Sequence, residues 1–193
     1  MFSEFHNYEP FNIDLLIFPG IVLYISLFAL GYLGSKSLFI AWFIATIKTS
    51  IFILYFGYFF DGTYTSVDDE HYLDTGKKIY LLFTDGTIDV SIDNIILIVG
   101  GSHIFYNVIN TISMVFFGNF YFSPLVINII VSAFAGVISV KIIKQQQMLH
   151  GKSLNYFFLF FVLHPELLSW STVFNGKDTI ILFMHIMLSY AVF

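Results

Sequence analysis

Apolar residues run along this chain in long unbroken blocks and not in the alternation of half-buried strands. Six blocks stand out, roughly Leu15–Leu33, Leu38–Phe60, Ile95–Phe117, Phe122–Ile143, Leu154–Phe174 and Thr179–Phe193. A helix that crosses a bilayer needs roughly 20 predominantly apolar residues, and most of the blocks reach that length. Transmembrane barrel strands alternate apolar and polar over ~10 residues, which these blocks do not. The pattern predicts an all-α polytopic membrane helix bundle of about six transmembrane segments, forming a single transmembrane domain over residues 1–193. The last block is short for a span and has no polar flank, so the sequence expects a fragment or a chain that ends inside the bilayer.

One connection is long. Asp61–Asp93 holds eight of the thirteen acids, against Lys77 and Lys78. Its apolar residues, Tyr72 and Ile79 to Phe83, predict an ordered acidic loop with an interfacial helix at headgroup depth. Asp85-Gly86 and Asp93-Asn94 read as turns that fold the loop back before the third block.

Composition sharpens the class. Of the 193 residues 58% are hydrophobic and 11% charged, with a mean hydropathy of +0.83. Soluble domains carry nearer ~25% charge. Cysteine is absent, which excludes disulfides, thiol nucleophiles and thiolate metal sites. All eight cations are Lys, so an anionic ligand meets mobile point charges and no bidentate guanidinium fork. A net charge of -5 without a basic stripe speaks against nucleic acid as a partner. The first thirteen residues carry two Glu and no Lys, unlike the basic start of a secretory signal peptide.

Three clusters are able to carry chemistry. Asp68-Asp69-Glu70-His71-Tyr72 places three consecutive carboxyls beside a His, an arrangement that shares a metal or divides acid and base roles, or else simply solvates the start of a loop. Gly176-Lys177-Asp178 precedes the last block, where Asp178 suits a helix cap and Lys177 a lipid phosphate. Gly100-Gly101-Ser102-His103 opens the third helix, where the glycines permit close approach and His103 either faces a headgroup or a metal or is simply an interfacial residue. Lys48, Glu166 and His185 fall deep within apolar blocks, and Lys48 with Glu166 suggests either a buried ion pair or a substrate pathway. Pro165 sits near the middle of the fifth block and predicts a kink or break there.

The order of these features resembles bacterial membrane glycosyltransferases of the GT-C type, related to protein O-mannosyltransferases and aminoarabinose transferases. Asp69-Glu70-His71-Tyr72 is similar to the acid pair of that group's first extracytoplasmic loop. His103-Ile104-Phe105-Tyr106 with Phe116-Phe117-Gly118-Asn119, and then Pro165, Ser169-Trp170-Ser171 and Lys177-Asp178, resemble its later helices in the same order. The resemblance implies inverting transfer of a sugar from a polyprenyl-phosphate donor to an acceptor at the extracytoplasmic face of a bacterial plasma membrane. Asp69 is then the general base, with Glu70 or Asp68 assisting, and Asp69 and Glu70 are candidates to hold a divalent metal. His103, Lys177, Asp178 and Tyr72 are candidates for the donor site. Members of the group are longer, so the chain is expected to be an amino-terminal module completed by a C-terminal part or a partner subunit.

Topology pulls the other way. With six simple spans the acidic loop shares a side with Lys141, Lys144 and Lys152, which the positive-inside rule assigns to the cytoplasm. That count reverses if the third or the fifth block fails to cross, and an extracytoplasmic acidic loop is the expectation carried forward. Two rival readings remain: a polymerase of lipid-linked sugars, and a non-catalytic membrane protein or inactive truncated relative.

Overall fold

The computed structural model describes residues 13–62, 67–85, 92–99 and 103–192, the side chains of 67–70, 83, 85 and 92 excepted. Among the described residues every regular element is helical: α1 Asp14–Ser35, α2 Leu38–Leu54, α3 Val67–Asp85, α4 Ile92–Val99, α5 Ile104–Phe117, α6 Phe122–Gln145, α7 Lys152–Val162, α8 Pro165–Thr172 and α9 Asp178–Val192. A π-helical turn, Tyr55–Phe59, prolongs α2.

Among the described residues three helices are long and apolar enough to cross a membrane, Asp14–Ser35, Leu38–Phe59 and Phe122–Gln145, with a fourth if the bent pair Asp93–Val99 and Ile104–Phe117 counts as one. The six-segment expectation is therefore met in part. The third block, expected as a single helix opened by residues 100–103, is instead two helices, α4 ending at Val99 and α5 starting at Ile104, bent by 101°. The fifth divides at Pro165, with α7 ending at Val162 and α8 starting on the proline. Proline lacks the N–H that a continuing helix needs, whereas at the first helical position that donor has no partner anyway.

The tightest pairing is the α1–α2 hairpin. Lys36 adopts a left-handed backbone (φ 57°), and the Ser37 hydroxyl accepts from the Ile40 N–H at 3.4 Å to start α2. A Cβ on Gly31 would sit 2.8 Å from the Ala41 Cα, so only glycine permits the approach. Leu23, Leu27, Ile44, Phe52, Leu125, Ile129 and Phe158 form one buried core across α1, α2, α6 and α7. Close packing of small and interlocking residues is what holds helices together where surrounding lipid is as apolar as the core. The outer surface exposes Phe18, Ile25, Phe39, Phe116, Tyr156 and Leu188, which suits hydrocarbon better than water.

Helix register fixes the two ends of the bundle. Phe60 packs on Tyr121 with ring centroids 4.4 Å apart, so the end of the second span and the start of α6 lie together. Leu16 of α1 lies beside Gly57 at that same end. At the other end a Cβ on Gly34 would strike the Phe158 ring, which brings α7 against the end of α1. The chain thus enters the region 61–121 and leaves it at one end of the bundle. Lys36, Lys141, Lys144 and Lys152 consequently gather at the end opposite the acidic region.

α7 and α8 run back along α6 as a broken pair. A Cβ on Gly136 would meet Val162, and the Tyr121 hydroxyl donates to the Val173 carbonyl at 3.4 Å. α9 then descends beside α6, where Phe183 packs on Phe134 at 5.5 Å.

The expected loop with an interfacial helix at Ile79–Phe83 is a longer helix than the sequence suggested. α3 begins at Val67, so Asp68, Asp69 and Glu70 occupy its first turn. Acidic residues favour that position because the N-terminal end of a helix carries unpaired N–H groups and a partial positive charge. The same preference explains Asp93, expected in a turn and found in the first turn of α4.

Candidate functional site

The site is assembled where α3, α5 and the α8–α9 loop meet. α3 docks closely on α5: a Cβ on Gly76 would lie 2.9 Å from the Asn110 Cβ, and the Thr111 hydroxyl donates to the Gly76 carbonyl at 3.2 Å. One turn earlier, Tyr72 is consequently buried edge-on against Tyr106, with ring centroids 4.9 Å apart. Tyr72 also meets the His103 ring edge-on at 5.7 Å.

Lys177 completes the cluster from the α8–α9 loop. Its Nζ lies 3.2 Å from His103 Nε2 and 5.8 Å from the centre of the Tyr72 ring. An ammonium only donates, so Nε2 is the acceptor and the imidazole carries its proton on Nδ1. His103 itself holds a left-handed backbone (φ 54°) at the start of α5, a conformation uncommon outside glycine.

An apolar groove of about 300 Å³ opens from this cluster along α9. Phe105, Ile180, Ile181, Met184 and Leu188 line it, with His103 and Lys177 at its head and His185 part-way down. The His185 Nδ1–H is engaged by the Ile181 carbonyl at 2.8 Å, which turns Nε2 away from that bond. A cation and an imidazole at one end of a hydrocarbon-lined groove fit an amphiphile with an anionic head.

Behind the cluster lies a polar network inside the bundle. The Tyr106 hydroxyl donates to Asn175 Oδ1 at 2.6 Å, and Asn175 Nδ2 donates to Asn110 Oδ1 at 2.9 Å. Asn110 Nδ2 donates to the Tyr106 carbonyl at 2.8 Å, and Asn128 Nδ2 donates to the Tyr106 hydroxyl at 3.1 Å. Asn110, Asn128 and Asn175 are fully buried. The network pins the loop that carries Lys177 two residues after Asn175.

Of the residues singled out in sequence, Tyr72, His103 and Lys177 come together. Asp178 stands exposed in the first turn of α9, next to Lys177 in the chain. Asp68 and Asp69 fall one helical turn before Tyr72, and their side chains, with that of Glu70, lie outside the described residues. Among the described residues no three of His, Asp and Glu converge to hold a metal. The suggested Lys48–Glu166 ion pair does not form. Lys48 is fully buried and its Nζ donates to the Ser132 hydroxyl at 2.8 Å, while Glu166 is exposed in the first turn of α8. An acid at a helix start is favoured by the dipole and needs no lysine.

Tyr106, Asn110, Asn128 and Asn175 were not read as site residues. The available signal was three Asn within or beside apolar helices, where a polar amide is expensive unless paired.

Fold and site together define an α-helical protein with helices of membrane-spanning length, built around a basic, aromatic-walled cleft. No protein-family model matches the chain, and neither a curated protein nor a solved structure matches it.

Proposed function

We propose that this chain is a membrane-embedded glycosyltransferase module of GT-C-like type that takes a sugar from a polyprenyl-phosphate donor. The observation that carries the reading is the junction of Lys177 and His103 with the apolar groove along α9. Lys177 and His103 face the donor phosphate, Tyr72 and Tyr106 wall the cleft, and the isoprenoid chain lies against Ile180, Ile181, Met184 and Leu188. An ammonium beside the phosphate stabilises the negative charge that develops as it leaves.

In the same reading Asp69 takes the proton of an acceptor hydroxyl. The acceptor oxygen bonds to the anomeric carbon, the bond from that carbon to the phosphate oxygen breaks, and the polyprenyl phosphate departs. Glu70 or Asp68 assists, and a divalent metal on Asp69 and Glu70 belongs to the same proposal. Asp178, beside Lys177, orients the sugar or the ammonium.

The end that carries Lys36, Lys141, Lys144 and Lys152 is the cytoplasmic one, and the cleft opens toward the other. This agrees with an acceptor at the extracytoplasmic face of a bacterial plasma membrane. Further spans beyond the three long helices are formed by the broken pair α7–α8 and by α9.

The test is transfer of labelled sugar from polyprenyl-phosphate donor by the protein in lipid nanodiscs, supplemented with downstream chain or partner subunit if the module needs one. Transfer that disappears in Asp69→Asn while donor still binds supports the reading. Donor that neither binds nor turns over overturns it.

A further inference from the structure

The direction of every hydrogen bond in the buried Asn network follows from one group. The Tyr106 carbonyl only accepts, so Asn110 presents its amide nitrogen there and its Oδ1 to Asn175. Asn175 therefore donates through Nδ2 and accepts through Oδ1 from the Tyr106 hydroxyl. That hydroxyl has spent its proton, and what it receives from Asn128 must be an N–H. The chain of bonds ends on Asn128 Oδ1, a buried acceptor with no hydrogen-bond partner.

One helical turn along α6 from Asn128 stands Ser132, on the same side of the helix, since residues four apart are neighbours roughly 5–6 Å apart at Cβ. Ser132 Oγ accepts from Lys48 Nζ at 2.8 Å and passes its own proton to the Ile129 carbonyl at 2.8 Å. Lys48 is fully buried and its amine carries at least two N–H donors, of which this contact uses one. A buried acceptor lacking a donor and a buried amine with a donor to spare thus belong to the same short stretch of α6. Both conditions are costly in a dry interior, and one water between them relieves both.

We infer that Lys48, Ser132 and Asn128 hold a buried water in the middle of the bundle, and that this water joins Lys48 to the hydrogen-bonded network behind the cleft. The resulting file runs from Lys48 through the water to Asn128, Tyr106, Asn175 and Asn110. The inference needs no sugar transfer and stands or falls separately from it.

A charge-complementation cycle tests it on the full chain in nanodiscs. Asn128→Asp places a carboxylate at the water's far side, and the comparison is its effect with Lys48 present and in a Lys48→Met background. Loss of the Asn128 N–H is common to both arms and cancels. The expected result is a thermal midpoint lowered by several degrees more in the Lys48→Met background. Equal loss in both backgrounds, complete failure to fold in both included, overturns the proposal. Should Lys48→Met alone fail to fold, the unmodified protein decides: proton-detected NMR should show a water cross-peak to the Asn128 side-chain amide, and its absence overturns the inference.

Discussion

Lys177 Nζ and His103 Nε2 lie 3.2 Å apart across 74 residues of sequence. The contact exists because Asn175 ties the α8–α9 loop to Tyr106 and Asn110 of α5, the helix that follows His103 directly. If the pair holds a phosphate, Lys177→Ala and His103→Ala should each weaken polyprenyl-phosphate binding. A hydrogen bond to a charged group contributes ~1.5–3 kcal/mol, so the expected loss is roughly ten- to hundredfold in Kd. Lys177→Arg should retain most of the affinity, because the charge stays.

Tyr106→Phe should destabilise the bundle by about 2–3 kcal/mol, since it strips one hydroxyl from two buried amides at once. Thermal unfolding in detergent or nanodiscs measures it, and a midpoint equal to wild type would show that the network is not structural.

Gly76→Ala should cost about 1–3 kcal/mol, the usual range for overpacking, because the new methyl collides with the Asn110 Cβ. The same change should loosen Tyr72 from Tyr106 and weaken ligand binding beyond what stability alone explains.

Lys48→Met and Glu166→Gln should have additive effects, with the glutamate change near neutral. Lys48 is buried against Ser132 whereas Glu166 is exposed. A coupling energy above ~0.5 kcal/mol in the double-mutant cycle would argue for contact between them.

Orientation is open to thiol labelling, since the chain has no native cysteine. In intact cells an impermeant reagent should label Ser66→Cys, and it should reach Gln147→Cys only after permeabilisation. The reverse pattern would place the Lys-rich end outside.

Long apolar runs made α1, α2 and α6 legible, because nothing within them competes with a continuous helix. The break at Pro165 was legible locally, whereas the one between Val99 and Ile104 was not, since residues 100–103 read as the opening of a single third helix. The path of a broken segment depends on which partners it meets, and here Tyr121 against Phe60 brings both ends of the region 61–121 to one end of the bundle. Tyr72, His103 and Lys177 announced themselves by residue type at element starts. The Asn network did not, since its members have no common spacing and their pairing is a product of tertiary register. The partner of Lys48 was missed for a related reason: an intramembrane charge suggests a counter-charge, and the bundle supplies a serine hydroxyl instead.

If the Lys177–His103 cleft holds the phosphate of a polyprenyl-phosphate ligand, a charged and an uncharged polyprenyl lipid bind it differently. Equilibrium binding of labelled polyprenyl phosphate and of the matching uncharged polyprenol, to wild type and Lys177→Ala in nanodiscs, tests it most directly. Wild type should prefer the phosphate by roughly tenfold or more, and Lys177→Ala should lose this preference while still taking up the polyprenol. Equal binding of both lipids by wild type, or a preference untouched by Lys177→Ala, would contradict it.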